Sequence, residues 1–247
     1  MKKTKELFYL IKFIDQRYIN SFLEKGQIHY EPLYYFSELE RKTGDRRIGD
    51  AFEGNACFNP INLPIFFLMK NKKGKVIKAV PFKNNNLRMV KGLPEKLKQR
   101  IGICSFFYVA AEDLEYFTGK DGNRYYKFND RIISELVNFI KKDDRIPVMI
   151  HNIPEFAKRC EKQHSPLKPV YYYDESDFNN WDSITTNSPI FYSQLKRKVY
   201  SGQHEVRLLK ILKELNEGEN IEIGNIKTIA RVLDRDGLCN DKYIFKC

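Results

Sequence analysis

The sequence predicts a single α+β domain in which a mixed sheet forms the core and helices lie at its periphery. Three observations lead there. The chain opens strand–helix–strand, strand-like segments outnumber helical ones, and no repeat, heptad run or low-complexity linker divides its 247 residues. That length can bury one substantial core. A composition of 42% hydrophobic and 14% aromatic residues argues for a folded chain.

"LFYLIKF" (7–13) is rich in strand formers. Over 15–26 the period changes: Tyr18, Phe22 and Ile19 or Leu23 recur at helical spacing, and Gly26 is a C-terminal stop. Residues 27–36 return to an extended pattern, and the polar, Gly-punctuated 37–55 is a long loop or short helix. Strands are expected across 57–83, with a hairpin at 70–75 where Gly74 supplies the turn. A short helix over 93–100, with Pro94 at its start, precedes the apolar run 101–109, a buried strand. The clearest helix is 129–142, with Ile132, Ile133, Leu136, Val137 and Ile140 on one stripe. Strand 146–153, helix 154–162 and strand 168–174 follow, then a loop-like 183–200 with room for a short helix. A strand over 203–209 and a helix over 227–238 close the chain.

No apolar run approaches the roughly 18–20 residues that cross a bilayer, so no membrane partner is expected. The basic N-terminus carries Lys12 inside a brief apolar run and lacks a small-residue cleavage site, so it reads as fold and not as a signal peptide. The five cysteines form no CxxC pair and have no histidine at finger-like spacing. They read as reduced thiols of a cytoplasmic protein, with no metal site. A formal net charge of +11 raises the odds of a polyanionic partner such as nucleic acid.

One stretch carries chemistry. In "KRKVYSGQHEVRLLK" (196–210), strand alternation puts Gln203, Glu205 and Arg207 on one face and Val206 and Leu208 on the other. Standing alone, such a Gln-x-Glu-x-Arg pattern is most simply a solvated face with cross-strand ion pairs. On the same alternation His204 falls on the opposite face from Glu205. "GDRRIGD" (44–50) is most simply a solvated loop, or a phosphate-binding patch through Arg46 and Arg47. "GDAFEGN" is most simply a turn.

Several segments, in this order, resemble a bacterial family of uncharacterised proteins, the DUF2971 family. They are "FLEKGQIHYEPLYYF", the acidic–aromatic "GDAFEG" (49–54), "ICSF" (103–106), "PVMIHNIPEFAKRC", "KPVYYYD", "KRKVYSGQHEVRLL" and "IEIGNIKTIARVL". The match spans nearly the whole chain, although each motif is short. Residues around 37–48 are extra, and Tyr200 stands where the family has a tryptophan before Glu-x-Arg. The layout is more distantly similar to DarT-type ADP-ribosyltransferases, toxins that modify nucleic acid using NAD and place a catalytic glutamate on a late strand in a Gln-x-Glu-hydrophobic segment, as in "QHEVRLL".

The resemblance implies an ADP-ribosyltransferase-like fold with NAD as substrate, in an abortive-infection, anti-phage setting. Glu205 would then stabilise the ribosyl cation formed as nicotinamide leaves, and Gln203 would orient the acceptor. Tyr9, Lys12 and Ser105 would line the NAD pocket. Arg207 would contact phosphate or partner a nearby acid. Asp50 and Glu53 would hold the pocket's shape or position an arginine. A nuclease is disfavoured because no Asp/Glu/Lys cluster has metal-site spacing beyond the weak Asp50/Glu53 pair. The non-enzymatic alternative is a sensor or binding module on the same fold, recognising a phage protein, a nucleotide or RNA.

Overall fold

The computed structural model describes residues 7–44, 49–59, 65–82, 88–140, 145–177, 181, 184, 188–239 and 244–246. It is mixed α/β. In chain order the first half runs β1 (Leu7–Ile14), α1 (Ile19–Lys25), β2 (Gln27–Pro32), α2 (Leu33–Thr43), β3 (Asn55–Phe58), β4 (Ile65–Lys70), β5 (Val76–Phe82) and β6 (Met89–Gly92). Then come α3 (Glu95–Lys98), β7 (Ile101–Ala110), β8 (Leu114–Thr118), β9 (Arg124–Phe128), α4 (Asp130–Ile140), β10 (Ile146–Ile150) and α5 (Ile153–Lys162). The remaining strands are β11 (Leu167–Pro169), β12 (Tyr171–Tyr173), β13 (Leu195–Arg197), β14 (Glu205–Ile211), β15 (Glu219–Glu222), β16 (Ala230–Val232) and β17 (Ile244–Lys246).

The centre is an eight-stranded sheet with the path β11-β14-β7-β1-β10-β16, to which β2 and β15 attach through β7. A mixed sheet was expected, but every pairing within this sheet is antiparallel. Among the described residues the parallel pairing is the short β12–β13 ladder outside it. Alternation along β7 and β14 divides the core. Cys104, Phe106, Val206 and Leu208 face one side, where they pack with Phe22 of α1 and Phe156 of α5. On the other side Phe107 and Ile11 join a cluster with Ile132 and Leu136 of α4, while Ile103 and Leu209 join another with Leu33, Phe58 and Leu195. Between those two apolar clusters, on the same face, lie Ser105, Glu205 and Arg207.

The sheet forks at β7. β1 pairs with the Phe107–Ala110 half of that strand, and β2 pairs with Gly102 and Ile103. In the gap, Lys12 Nζ donates to the Ser105 carbonyl at 2.8 Å and lies 5.2 Å from the Phe106 ring centroid. The side-chain ammonium thus replaces a ladder hydrogen bond that the diverging strands no longer make.

Several elements differ from the sequence expectation, each for a physical reason. The extended reading of 27–36 stops at Pro32, whose backbone (φ −60°, ψ 146°) ends β2 and precedes the eleven-residue α2. Residues 168–174 split at Val170 into β11 and β12, which belong to different sheets. The expected helix over 227–238 is instead the edge strand β16 and a helix over Arg235–Cys239. Asp234 starts that helix late by accepting from the Gly237 amide at 2.7 Å. The β8–β9 hairpin and β13 were not expected at all.

Gly26 ends α1 in the left-handed region (φ +60°), and a Cβ there would stand 2.4 Å from the Gly224 carbonyl oxygen. Gly26→Ala is expected to cost more than about 1 kcal/mol of stability, from left-handed strain plus backbone collision. Urea unfolding of the purified variant measures this.

Candidate functional site

Arg207 is fully buried at 0% exposure, which is tolerable only if its charge and all five N–H donors are satisfied. They are. Nε donates to Glu205 Oε1 at 2.6 Å. One terminal nitrogen donates to Glu53 Oε1 and the Ser193 carbonyl, both at 2.7 Å. The other donates to Glu53 Oε2 at 3.1 Å and Glu205 Oε2 at 3.2 Å. β14 presents Glu205 and Arg207 on one face, and the turn ahead of β3 brings Glu53 across to them.

Glu205 is in turn enclosed by donors. Ser105 Oγ donates to Oε1, and Lys196 Nζ donates to Oε2 at 2.8 Å. The Glu205 amide donates to the Tyr172 hydroxyl at 2.9 Å. Two carboxylates and two cations therefore form one buried, formally neutral cluster. Burial opposes ionisation of Glu205, but the Arg207 and Lys196 charges outweigh it and hold this carboxyl below the usual carboxylate range. For Glu53 burial prevails over the same two cations, with Asp50 adding to it, and its pKa is raised.

A second network adjoins the first. Arg197 contacts Asp50 Oδ1 at 2.8 Å and donates to the Tyr200 hydroxyl at 2.7 Å, and Tyr200 donates to Glu40 Oε2 at 2.9 Å. Burial pushes the Tyr200 phenol up, beyond its already high ordinary value. Asp50 Oδ2, among the described residues, has no hydrogen-bond partner.

A cleft of about 640 Å³ opens at the fork of the sheet. Lys12, Ser105, Gln203, Glu205, Arg207 and Glu53 all line it. Of the remaining expected residues, Asp50 is buried against Arg197 outside that lining, and Arg46 and Arg47 lie outside the described residues. Tyr9 was expected in the same pocket but lines a separate groove with Tyr126 and Phe245. The cleft lining on β1 begins at Ile11, and Tyr9, two residues earlier, packs in the cluster beneath α4, where its hydroxyl bonds that of Tyr126.

Gln203 reaches the cleft by a different route from the one expected. It closes a 3-10 segment over Lys198–Gln203, and His204 then takes a left-handed conformation (φ 42°, ψ 54°) before β14 begins at Glu205. Gln203 and Glu205 are therefore not successive same-face residues of one strand. The left-handed residue also redirects His204, whose ring stacks on Phe107 at 5.1 Å and pairs with Glu135 at 2.7 Å. Of the two roles expected for Arg207, a phosphate contact or the partner of a nearby acid, the geometry is that of the second, with its donors directed at Glu205, Glu53 and the Ser193 carbonyl.

Sequence reasoning missed Lys196, which sits in a three-residue strand and is 3% exposed. Its place in the Lys-containing lead to Glu-x-Arg was the only available signal. It also missed His29, which lines the cleft rim between Glu31 Oε1 and Asn220 Oδ1, both at 2.9 Å. The Glu31 bond, opposed by burial and helped by Asn220, raises the His29 pKa. In comparisons with known proteins, no family model, curated protein or solved structure matches the chain.

Arg207→Met is expected to destabilise the protein by about 3–5 kcal/mol, because two buried carboxylates lose their common cation. Arg207→Lys should recover only part of this, since an ammonium cannot reproduce the planar five-donor fork. Guanidinium unfolding of the three proteins tests the ranking.

The pH dependence of stability has two opposed parts. Unfolded glutamate titrates near about 4.3, while folded Glu205 stays ionised below that, so its stabilisation is present above pH of about 4–5 and is lost as pH falls. Folded Glu53 holds its proton more tightly than the unfolded chain does, so its contribution is lost as pH rises above about 4.3 through its folded pKa. Glu205→Gln should flatten the acid limb of the stability profile, and Glu53→Gln should steepen it. Denaturant midpoints measured from about pH 3 to 7 decide this.

Proposed function

We propose that the chain is an NAD-dependent ADP-ribosyltransferase-like enzyme in which Glu205 acts at the ribose of NAD, in anti-phage, abortive-infection defence and modifying nucleic acid. The observation that carries this reading is a carboxylate, Glu205, at the start of a central strand, held by Lys196 and Arg207 and lining a cleft between β1 and β2. A cleft of about 640 Å³ lies in the range of ligand sites. Lys12 and Arg145 in its lining suit a pyrophosphate, and the exposed ring of Tyr18 suits a stacked base. The defence setting is supported by the order of motifs similar to DUF2971 proteins.

In the reaction the bond between ribose C1′ and the nicotinamide nitrogen breaks, and its electron pair leaves with neutral nicotinamide. Positive charge then grows on the ribosyl carbon, and an acceptor nucleophile adds there and loses its proton. Glu205 stabilises that growing charge more than the ground state, because its position is set beforehand by Ser105, Lys196 and Arg207. Gln203, on its separate 3-10 support, orients the acceptor.

One observation favours a second reading, a binding module for a nucleotide, RNA or phage protein. Both Glu205 oxygens already accept two donors each, and two of the partners are cations. Such a carboxylate is neutralised before any ligand arrives.

Incubation with labelled NAD, nucleic acid and cell lysate separates the readings. Wild-type protein is expected to release nicotinamide and transfer label. Glu205→Gln should lose about 10²–10³-fold in transfer, the usual cost of removing one electrostatic stabiliser, while NAD affinity, measured by calorimetry, changes less than about tenfold. Gln203→Ala, outside the buried ion cluster, should reduce transfer without lowering stability. NAD binding with neither product would favour a nucleotide-binding module, and absence of both NAD binding and transfer would remove the enzyme reading and leave a module for RNA or a phage protein.

A further inference from the structure

The charge of the chain is concentrated in one place. No aspartate or glutamate occurs between Glu53 and Glu95, while that stretch holds seven lysines and Arg88, so it carries +8 of the net +11. Within it β4 and β5 form a hairpin that pairs with no other strand among the described residues. Lys70, Lys72, Lys73, Lys75 and Lys78 all belong to this hairpin and are exposed. So are its apolar residues Leu68, Met69, Val76 and Ile77, at 56%, 51%, 45% and 63%.

The tip is built, not loose. Asn71 Oδ1 accepts from the Lys73 amide at 2.9 Å and the Lys75 amide at 3.0 Å. The Asn71 amide donates to the Lys75 carbonyl at 2.9 Å, and Gly74 takes φ +77° to close the turn. One asparagine thus fixes the backbone that carries Lys72, Lys73 and Lys75. Six-residue β4 is about 20 Å long at strand rise, and a two-stranded ribbon of this kind fits the major groove of B-form DNA.

The geometry points to the β4–β5 hairpin as a duplex-DNA-binding ribbon, with its tip lysines on backbone phosphates and its exposed apolar stem against the groove wall. The arrangement argues against the other occupants of an exposed apolar ribbon. A hairpin that enters a bilayer leads with apolar residues, whereas here the tip is Asn71–Lys75 and the apolar positions lie behind it. A second copy of the chain would set five lysines against five, and edge lysines oppose strand-to-strand pairing. Duplex RNA, with its deep and narrow major groove, does not admit the ribbon. The inference stands on the hairpin alone and does not depend on what the cleft binds.

Fluorescence anisotropy with a labelled duplex of about 20 base pairs, over a salt series, tests it. Lys72→Gln/Lys73→Gln/Lys75→Gln should reduce the slope of log affinity against log salt by about 2.7, about 0.9 for each phosphate no longer neutralised. A control removing the same charge elsewhere, Lys96→Gln/Lys158→Gln/Lys162→Gln, should leave the slope within about one unit of wild type. Leu68→Ser/Ile77→Ser should weaken binding without changing the slope, and circular dichroism verifies folding of each variant. The proposal is overturned by equal slopes for the tip and control variants. It is equally overturned if duplex RNA or phosphatidylserine–phosphatidylcholine vesicles are preferred to duplex DNA, or if wild type sediments as a dimer that the tip variant abolishes. Any of these leaves the cleft chemistry to be judged by nicotinamide release alone.

Discussion

The desolvation of Arg207 is the constraint on which the rest of the structure depends. A guanidinium with no access to water must find acceptors for five hydrogens and counter-charge for itself, or the fold is lost. Meeting that demand recruits β14 itself through Glu205, the turn before β3 through Glu53, and the segment before β13 through the Ser193 carbonyl. Two carboxylates then overbalance one cation, and Lys196 restores neutrality from β13. The cleft thus has one wall whose side chains are held by each other before any ligand binds. Such preorganisation is what electrostatic catalysis and selective anion binding both require.

The same cluster separates position from protonation. Glu205 and Glu53 share Arg207, yet burial prevails at one and the two cations prevail at the other. The acid that faces Ser105 is the one kept ionised. Its partner absorbs the unfavourable part of placing two carboxylates in one dry space, much as paired acids divide their roles by environment.

Much of the fold was legible in the sequence, because hydrophobic period and punctuation are local. Gly26 stopped α1, Asn71 to Lys75 turned the hairpin, and the apolar run from Ile101 made β7. The shared face of Glu205 and Arg207 was legible for the same reason, since a strand repeats every two residues. What escaped was set by distance or by an unsignalled backbone. Lys196 sits in a three-residue strand that no local pattern marks, so only its place ahead of Glu-x-Arg hinted at a buried acid as partner. Tyr9 was assigned to the wrong pocket because its hydroxyl partner lies 117 residues away. Gln203 left the strand because His204, neither glycine nor asparagine, adopts a left-handed conformation that composition does not flag. The helix expected over 227–238 failed because Ile226 and Ile229 are drawn into the core below α5, which leaves β16 to complete the sheet edge.

The fork at β7 and its ion cluster also set an order of assembly. Glu53 and Arg207 are 154 residues apart, and Ser105 and Glu205 are 100 apart. Contacts of such range form only after long loops have closed, late on any folding route. The β4–β5 hairpin closes over a handful of residues, and among the described residues its strands pair with each other alone. A nascent or partly unfolded chain therefore displays its basic ribbon well before it possesses a cleft, so surface affinity and pocket chemistry appear at different times in the life of the molecule.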